Sequence, residues 1–294
     1  MLGLTGFGGQ LPFWALLLIL TLVALAAGAL GGLLGLGGGL FLVPVLVIAF
    51  GLDIHLAIAA SLVSVTGTSS GAAAVSAERR LADLRIGTFL EAATVLGGVL
   101  GALVAVTVLG SHSNILVLAF VPVVLLSAYL MLRGIRTDVP NPEPPNGLAR
   151  RLRLWGTYVE SSGAPPVPYV AKRLPTGFAI GVAAGLASGL LGVGGGVFKV
   201  PAMNGLLGVP LRVAIATSNY MLGITAAAGA IVYLVSGDVV LGVVAPVAAG
   251  TLVGSFFASR FHARAQTSRL KALFVVVLGF AALFMLLRGL GVIA

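Results

Sequence analysis

Apolar residues run through this chain in long blocks separated by short polar or glycine-rich stretches. The first block, Phe13 to Leu34, reaches the roughly 20 residues that an α-helix needs to cross a bilayer. A short block follows, Leu40–Phe50, and then Leu56–Val75, Ile86–Leu109 and Ile115–Leu132. A second series, Thr176–Leu191, Val197–Leu207, Val213–Val235, Val239–Ala258 and Ala272–Leu287, repeats that order, again with the short member in second place. The pattern predicts an all-α polytopic membrane protein of two homologous halves, each with five membrane segments, one of them short and broken by glycine. The units are an N-terminal membrane repeat over 1–134, a connector over 135–174 and a C-terminal membrane repeat over 175–294.

The duplication is visible residue by residue. Gly35-Leu36-Gly37-Gly38-Gly39-Leu40-Phe41-Leu42-Val43-Pro44 returns as Gly192-Val193-Gly194-Gly195-Gly196-Val197-Phe198-Lys199-Val200-Pro201, an offset of 192 − 35 = 157. The register holds without a gap from Gly28/Gly185 to Ser61/Ser218, with 16 identities in 34 aligned pairs. Three successive glycines break a helix, because each carries a backbone entropy cost and permits φ > 0. Amides are thereby released at a depth where lipid cannot satisfy them, so they face protein, water or a ligand. A helix restarting after the triplet aims its first N–H groups and its positive dipole end at that spot, which suits an anion.

Composition narrows the function classes. With 59% hydrophobic and 9% charged residues and a mean hydropathy of +1.14, the chain has far fewer charges than the roughly 25% of a soluble domain. The absence of cysteine excludes disulfide, thiolate, Fe–S and zinc-thiolate chemistry. The net charge of +9 sits mostly in loops, where positive-inside retention accounts for it and nucleic acid need not be invoked. The N-terminal run has no basic residue before it and reads as a first span, not a removable signal.

Basic residues orient the halves. Ala77–Arg85 holds Arg79, Arg80 and Arg85, and the connector holds Arg133, Arg136, Arg150, Arg151, Arg153, Lys172 and Arg173; both read as cytoplasmic. In the second half the counterpart of Ala77–Arg85, Ser236–Asp238, has no base, whereas Ser259–Lys271 carries Arg260, Arg264, Arg269 and Lys271. Its first-half equivalent, Gly110–Asn114, has none. Five crossings per half give inverted repeats and this exchange of sides; a glycine piece that dips in and out, leaving four crossings, gives parallel ones. The charge pattern favours inversion, with both termini outside. The connector, with Pro140, Pro142, Pro144, Pro145, Pro165, Pro166 and Pro168, cannot be a helical span. Its Leu148–Trp155 stretch alternates Arg with Leu and suits the membrane interface; a solvated tether is the preferred reading, a regulator-binding module the alternative. Gly28-x3-Gly32, Gly185-x3-Gly189, Gly97-x3-Gly101 and Gly250-x3-Gly254 are expected at close helix contacts.

Few side chains remain for chemistry. Lys199 stands three residues after the second triplet in an apolar run, opposite Leu42 of the first repeat. A cation at membrane depth costs about 2.5–3.5 kcal/mol on insertion scales and usually faces a cavity or partner, unless it snorkels to an interface. Ser61 and the run Thr217-Ser218-Asn219 occupy matched places in the next helix, where hydroxyl and amide groups can donate to oxyanion oxygens or bond the carbonyl four residues back. Glu91 lies a few residues into its span and can carry a proton or rest at the interface. Asp83 and Asp238, each four residues before a glycine, are expected to cap helix starts. His55 and Arg212 mark loop ends. His55, His112 and His262 are scattered, and no metalloprotease, paired-carboxylate or Walker signature is present, so neither an enzyme nor a cofactor or metal is expected.

Gly-x-Gly-Gly-Gly-x-x-x-x-Pro in both halves, preceded by a Gly/Ser-rich helix and followed by Ala-x-Ala-x-Ser or Ala-x-Ala-Thr-Ser, resembles the sulfite exporter TauE/SafE family over about Phe13–Leu132 and Thr176–Leu287. The resemblance implies secondary transport of sulfite or an organosulfonate such as sulfoacetate across the bacterial inner membrane. It also implies binding roles for Gly37, Gly38, Gly39, Gly194, Gly195, Gly196, Ser61, Thr217 and Ser218, with Pro44 and Pro201 structural at the site. Lys199 departs from the apolar residue usual at its position, which points to a larger or doubly charged anion. An anion channel lined by the same donors and a membrane scaffold subunit that uses the connector as a handle are the competing readings.

Overall fold

The computed structural model describes residues 12–78, 81–111, 113–132, 147–159, 166–261 and 267–291. Arg79, Arg80, Arg133, Arg136, Arg264, His112, His262, Pro140, Pro142, Pro144, Pro145 and Pro165 lie outside them. The first half folds as α1 (Phe13–Leu34), α2 (Gly39–Ile48), α3 (Ile54–Glu78), α4 (Leu84–Leu103) and α5 (Ser113–Leu132). The connector supplies α6 (Gly147–Leu152) and a hairpin of β1 (Trp155–Tyr158) and β2 (Val167–Val170). The second half gives α7 (Leu174–Leu191), α8 (Gly196–Pro201), α9 (Leu211–Ser236), α10 (Leu241–Phe261) and α11 (Thr267–Gly289). Among the described residues six helices, α1, α3, α4, α7, α9 and α10, are long and apolar enough to cross a membrane.

These helices are apolar on all sides. On α1, Leu16, Leu20, Ala24 and Ala27 are buried while Trp14, Leu18, Leu22 and Leu25 face outward. An outward apolar face is unfavourable in water and natural in lipid.

The two short helices belong to hairpins. α1 runs beside α10 in the same direction, with Gly250 against Thr21 and Gly254 against Leu25. The chain then turns through the first triplet, and α2 returns toward the end where α1 began, its Val47 carbonyl receiving Arg288 near the end of α11. Likewise α7 descends to the second triplet and α8 returns, so that the amide of Lys172, just before α7, donates to the Leu207 carbonyl at 2.9 Å. Each half is therefore one glycine-turned hairpin followed by three long helices. Two π-helical turns, Val104–Val108 and Ala202–Leu206, end α4 and α8 and were not predicted by the apolar pattern.

The halves interlock by the same contacts taken twice. A Cβ on Gly28 would lie 2.3 Å from the Thr251 carbonyl, and one on Gly185 would lie 2.1 Å from that of Thr94; Gly254 and Gly97 meet the Leu25 and Val182 carbonyls at 2.0 and 2.1 Å in the same sense. Each pair maps onto the other by the offset of 157. Small-residue stripes thus let α1 lie on α10 and α7 on α4 at backbone contact, across the two repeats.

Half of the connector is not a free tether. Ala149, Leu154, Tyr169 and Ala171 are buried in one apolar cluster with Ile86 and Leu90 of α4, Met203 and Leu207 after α8, and Val213 and Met221 of α9. Tyr169 donates to Asp83 at 2.9 Å, and burial together with that carboxylate holds its phenol above the usual value. Apolar residues next to the arginine run and on the hairpin account for the docking: Leu154 and Tyr169 turn inward, whereas Arg150, Arg151, Leu152 and Arg153 are exposed. Glu78 and Arg260, 3.6 Å apart, join the ends of α3 and α10 at a solvent-exposed contact.

Candidate functional site

The site grows from the crossing of the two glycine turns. Gly35 and Gly192 close α1 and α7 in the left-handed region, at φ 70° and 69°, and Gly38 and Gly195 open α2 and α8 at 73° and 72°. A Cβ on Gly39 would stand 2.2 Å from the Gly192 carbonyl, and one on Gly196 would stand 2.2 Å from that of Gly35, so the turns touch backbone to backbone. The Ser61 hydroxyl donates to the Gly192 carbonyl at 2.6 Å and Ser218 donates to that of Gly35 at 3.0 Å. These two serines tie each half's helix end to the other half's next helix, and in this state their protons are engaged across the repeat. Val65 and Leu222, themselves a matched pair, fill the space beside Gly37 and Gly194.

Polar capacity is left over around this crossing. The amides of Gly38, Gly39 and Leu40, and of Gly195, Gly196 and Val197, donate to nothing among the described residues. Asn219 donates through Nδ2 to the Gly32 carbonyl at 3.2 Å, yet its Oδ1 and the Ser188 hydroxyl are buried without a partner. Buried groups of this kind are normally satisfied by protein, water or ligand. Thr217 accepts from the Asp83 amide at 2.9 Å, which joins α9 to the start of α4. Pro44 lies buried within α2 and Pro201 ends α8.

Lys199 and Glu91, read separately from the sequence, come together. The lysine is 3% exposed and the glutamate 6%, and Nζ lies 3.7 Å from Oε2. Thr225 of α9 bridges them: Lys199 donates to its Oγ1 at 2.7 Å, and the threonine hydroxyl donates to Glu91 Oε1 at 2.7 Å. Thr94 adds a hydrogen bond to Oε2 at 3.1 Å. Both charged side chains are enclosed by protein, and neither reaches the molecular surface. A buried pair of this kind is held by attraction and by the threonine hydrogen bonds against a desolvation cost of several kcal/mol per ion. Under the offset of 157, Lys199, Glu91, Thr225 and Thr94 correspond to Leu42, Ala248, Thr68 and Thr251, so of the two matched clusters only this one carries charges, one from each half. Thr225 and Thr94 were missed by sequence reading; the available signal was that Thr225 stands about two turns after Thr217 on the same face of α9.

Other expected roles divide. Asp83 caps α4, accepting from the Arg85 and Ile86 amides at 3.0 and 3.1 Å. Asp238 does not cap α10: that helix starts three residues later, after Val240, and Asp238 instead accepts the Ser236 hydroxyl at 2.5 Å. Asp53 accepts the His55 amide at 2.8 Å and faces its ring at 3.1 Å, which holds this carboxyl below its usual range. No group of three His, Cys, Asp or Glu that could hold a metal occurs among the described residues.

The geometry is that of a helical membrane protein with a charged, hydrogen-bonded cluster beside a doubled helix break. No solved structure matches the chain. It is similar to a Bacillus subtilis (strain 168) protein named "Probable membrane transporter protein YunE", 28% identical over 228 residues, which cover 75% of this chain and 79% of that relative. The family model described as Sulfite exporter TauE/SafE matches residues 19–285, and the chain belongs to that family of multi-pass membrane transporters.

Proposed function

We propose that this protein is a secondary transporter that exports a small sulfur-containing anion, sulfite or an organosulfonate such as sulfoacetate, across the bacterial inner membrane by alternating access, coupled to the proton gradient. The observation that carries this reading is Lys199: a buried cation on a hairpin whose preceding glycine amides have no partner among the described residues. A sulfonate or sulfite needs that combination, one positive charge and several N–H donors in a site from which water is excluded. The unpartnered Ser188 hydroxyl supplies one further donor.

The architecture supports rocking of one repeat against the other. Each half has three helices after its hairpin, an odd number that reverses the second half relative to the first. Basic loop residues then gather at one end, where Arg260 meets Glu78 and the connector meets Asp83; that end is the cytoplasmic one by the positive-inside rule. Gly37–Gly39, Gly194–Gly196, Ser61, Thr217, Ser218 and Asn219 line or brace the anion's place between the halves. The channel and scaffold readings gain nothing specific from this arrangement.

The test is transport by purified protein in proteoliposomes. Sulfite or sulfoacetate uptake by the wild type, and its loss in Lys199→Met with an unchanged gel-filtration profile, is the expected result. Wild-type uptake in Lys199→Met would refute the role of the lysine.

A further inference from the structure

We infer that the anion and Glu91 compete for Lys199, so that each anion bound between the halves is accompanied by one proton taken up on Glu91. This rests on the transporter reading given above and adds its coupling step. In the state described here Lys199 already has a counter-charge, with Nζ 3.7 Å from the carboxylate and the Thr225 hydroxyl bridging the two. An anion can use the ammonium only by taking Glu91's place beside it. That displacement leaves a carboxylate that is 6% exposed with no cation, an arrangement costly enough in low dielectric that the group takes a proton instead.

The surroundings offer no substitute cation. α7 carries no titratable residue between Leu174 and Leu191. On α9, Arg212 and Tyr220 stand toward the helix start, and Tyr233, two turns beyond Thr225, donates to the Gly189 carbonyl. On α4, Arg85 and the capping Asp83 lie about two turns away, and Tyr169 is engaged with Asp83. Among the described residues Lys199 is the charged group in contact with the Glu91 carboxylate. Thr94 and Thr225 suit either protonation state, since a threonine hydroxyl donates to a carboxylate and accepts from a carboxylic acid.

The step balances simply. A proton from solution forms an O–H bond on Glu91, Lys199 stays an ammonium ion, and its contact passes from Glu91 to the anion. On release the proton leaves and the Lys199–Glu91 pair closes again, which gives a neutral empty carrier. With a dianion the loaded cluster carries one net negative charge, so an inside-negative potential drives it outward while an alkaline interior opposes its exit.

Sulfoacetate is the probe, because it does not titrate near neutral pH. In proteoliposomes with the membrane potential clamped to zero and the interior one pH unit more alkaline, one proton per anion sustains about tenfold accumulation. Wild type should approach that limit, and a trapped pH dye should register about one proton per sulfoacetate. Glu91→Gln, neutral at every pH, should keep sulfoacetate exchange across the membrane but lose the accumulation. Accumulation unaffected by the pH gradient in wild type, which needs no variant, would overturn the inference while leaving the transporter in place. So would accumulation retained by Glu91→Gln. Failure of the wild type to move or exchange either sulfoacetate or sulfite would overturn the transporter reading and this step with it.

Discussion

Thr225 is the residue on which the buried cluster turns, since it is both the acceptor for Lys199 and a donor to Glu91. Thr225→Val keeps the shape and removes both hydrogen bonds, leaving two buried charges at 3.7 Å with less to hold them. The expected loss is about 1–3 kcal/mol, to be read as a fall in the melting temperature of purified protein, with Thr225→Ser restoring it. Little of this cluster was legible beforehand. Lys199 announced itself by standing where its repeat has Leu42, but nothing in the spacing of Glu91 and Lys199 links them. Their contact is made when α8 and α4 meet around α9, and no local rule of periodicity carries that information. The serines illustrate the opposite limit: the duplication marked Ser61 and Ser218 as a pair, and only the fold reveals that each reaches a carbonyl of the other half.

At the scale of elements the glycine turns were readable because their cause is local. Triplets terminate helices wherever they occur, so the short α2 and α8 and their boundaries follow closely from the sequence. The π-helical turn after Pro201 was not readable, since it depends on how α8 packs back toward Lys172 and Leu207. The crossing itself makes a sharp prediction. Gly39→Ala or Gly196→Ala places a methyl 2.2 Å from a backbone carbonyl of the other half, and neither carbonyl can retreat without moving a whole hairpin. Each should cost about 3 kcal/mol or more and yield little folded protein by fluorescence-detected gel filtration. Gly279→Ala, on an exposed face of α11 with nothing within 4 Å, should be neutral or gain up to about 1 kcal/mol from helix propensity. Equal losses in all three would remove the crossing as the cause.

For the molecule as a whole, apolar blocks and loop charges were enough to infer two halves, but not the hairpins or the docking of the connector. The connector's arginines advertised solvent, and its buried side chains are Ala149 and Leu154, which flank the arginine run, and Tyr169 and Ala171 further on. The orientation has a simple test, because the chain contains no cysteine and single-cysteine variants are free of background. Ser236→Cys and Thr157→Cys both lie at exposed positions. In intact cells an impermeant maleimide should label the first and reach the second only after permeabilisation. Labelling of both from the same side would contradict inverted halves and the cytoplasmic connector.

A duplicated machine with identical halves has two end states of equal energy, one the exchange of the other, and rests half open to each side. This protein breaks that equivalence in buried charge where Lys199 and Glu91 stand against Leu42 and Ala248. If the halves rock as proposed, opening inward and opening outward are different events: one rearranges a buried ion pair and the other rearranges aliphatic side chains. On the alternating-access proposal the empty carrier should wait preferentially on one side of the membrane, and one residue changed in each repeat, rather than any redesign of the scaffold, sets which side that is.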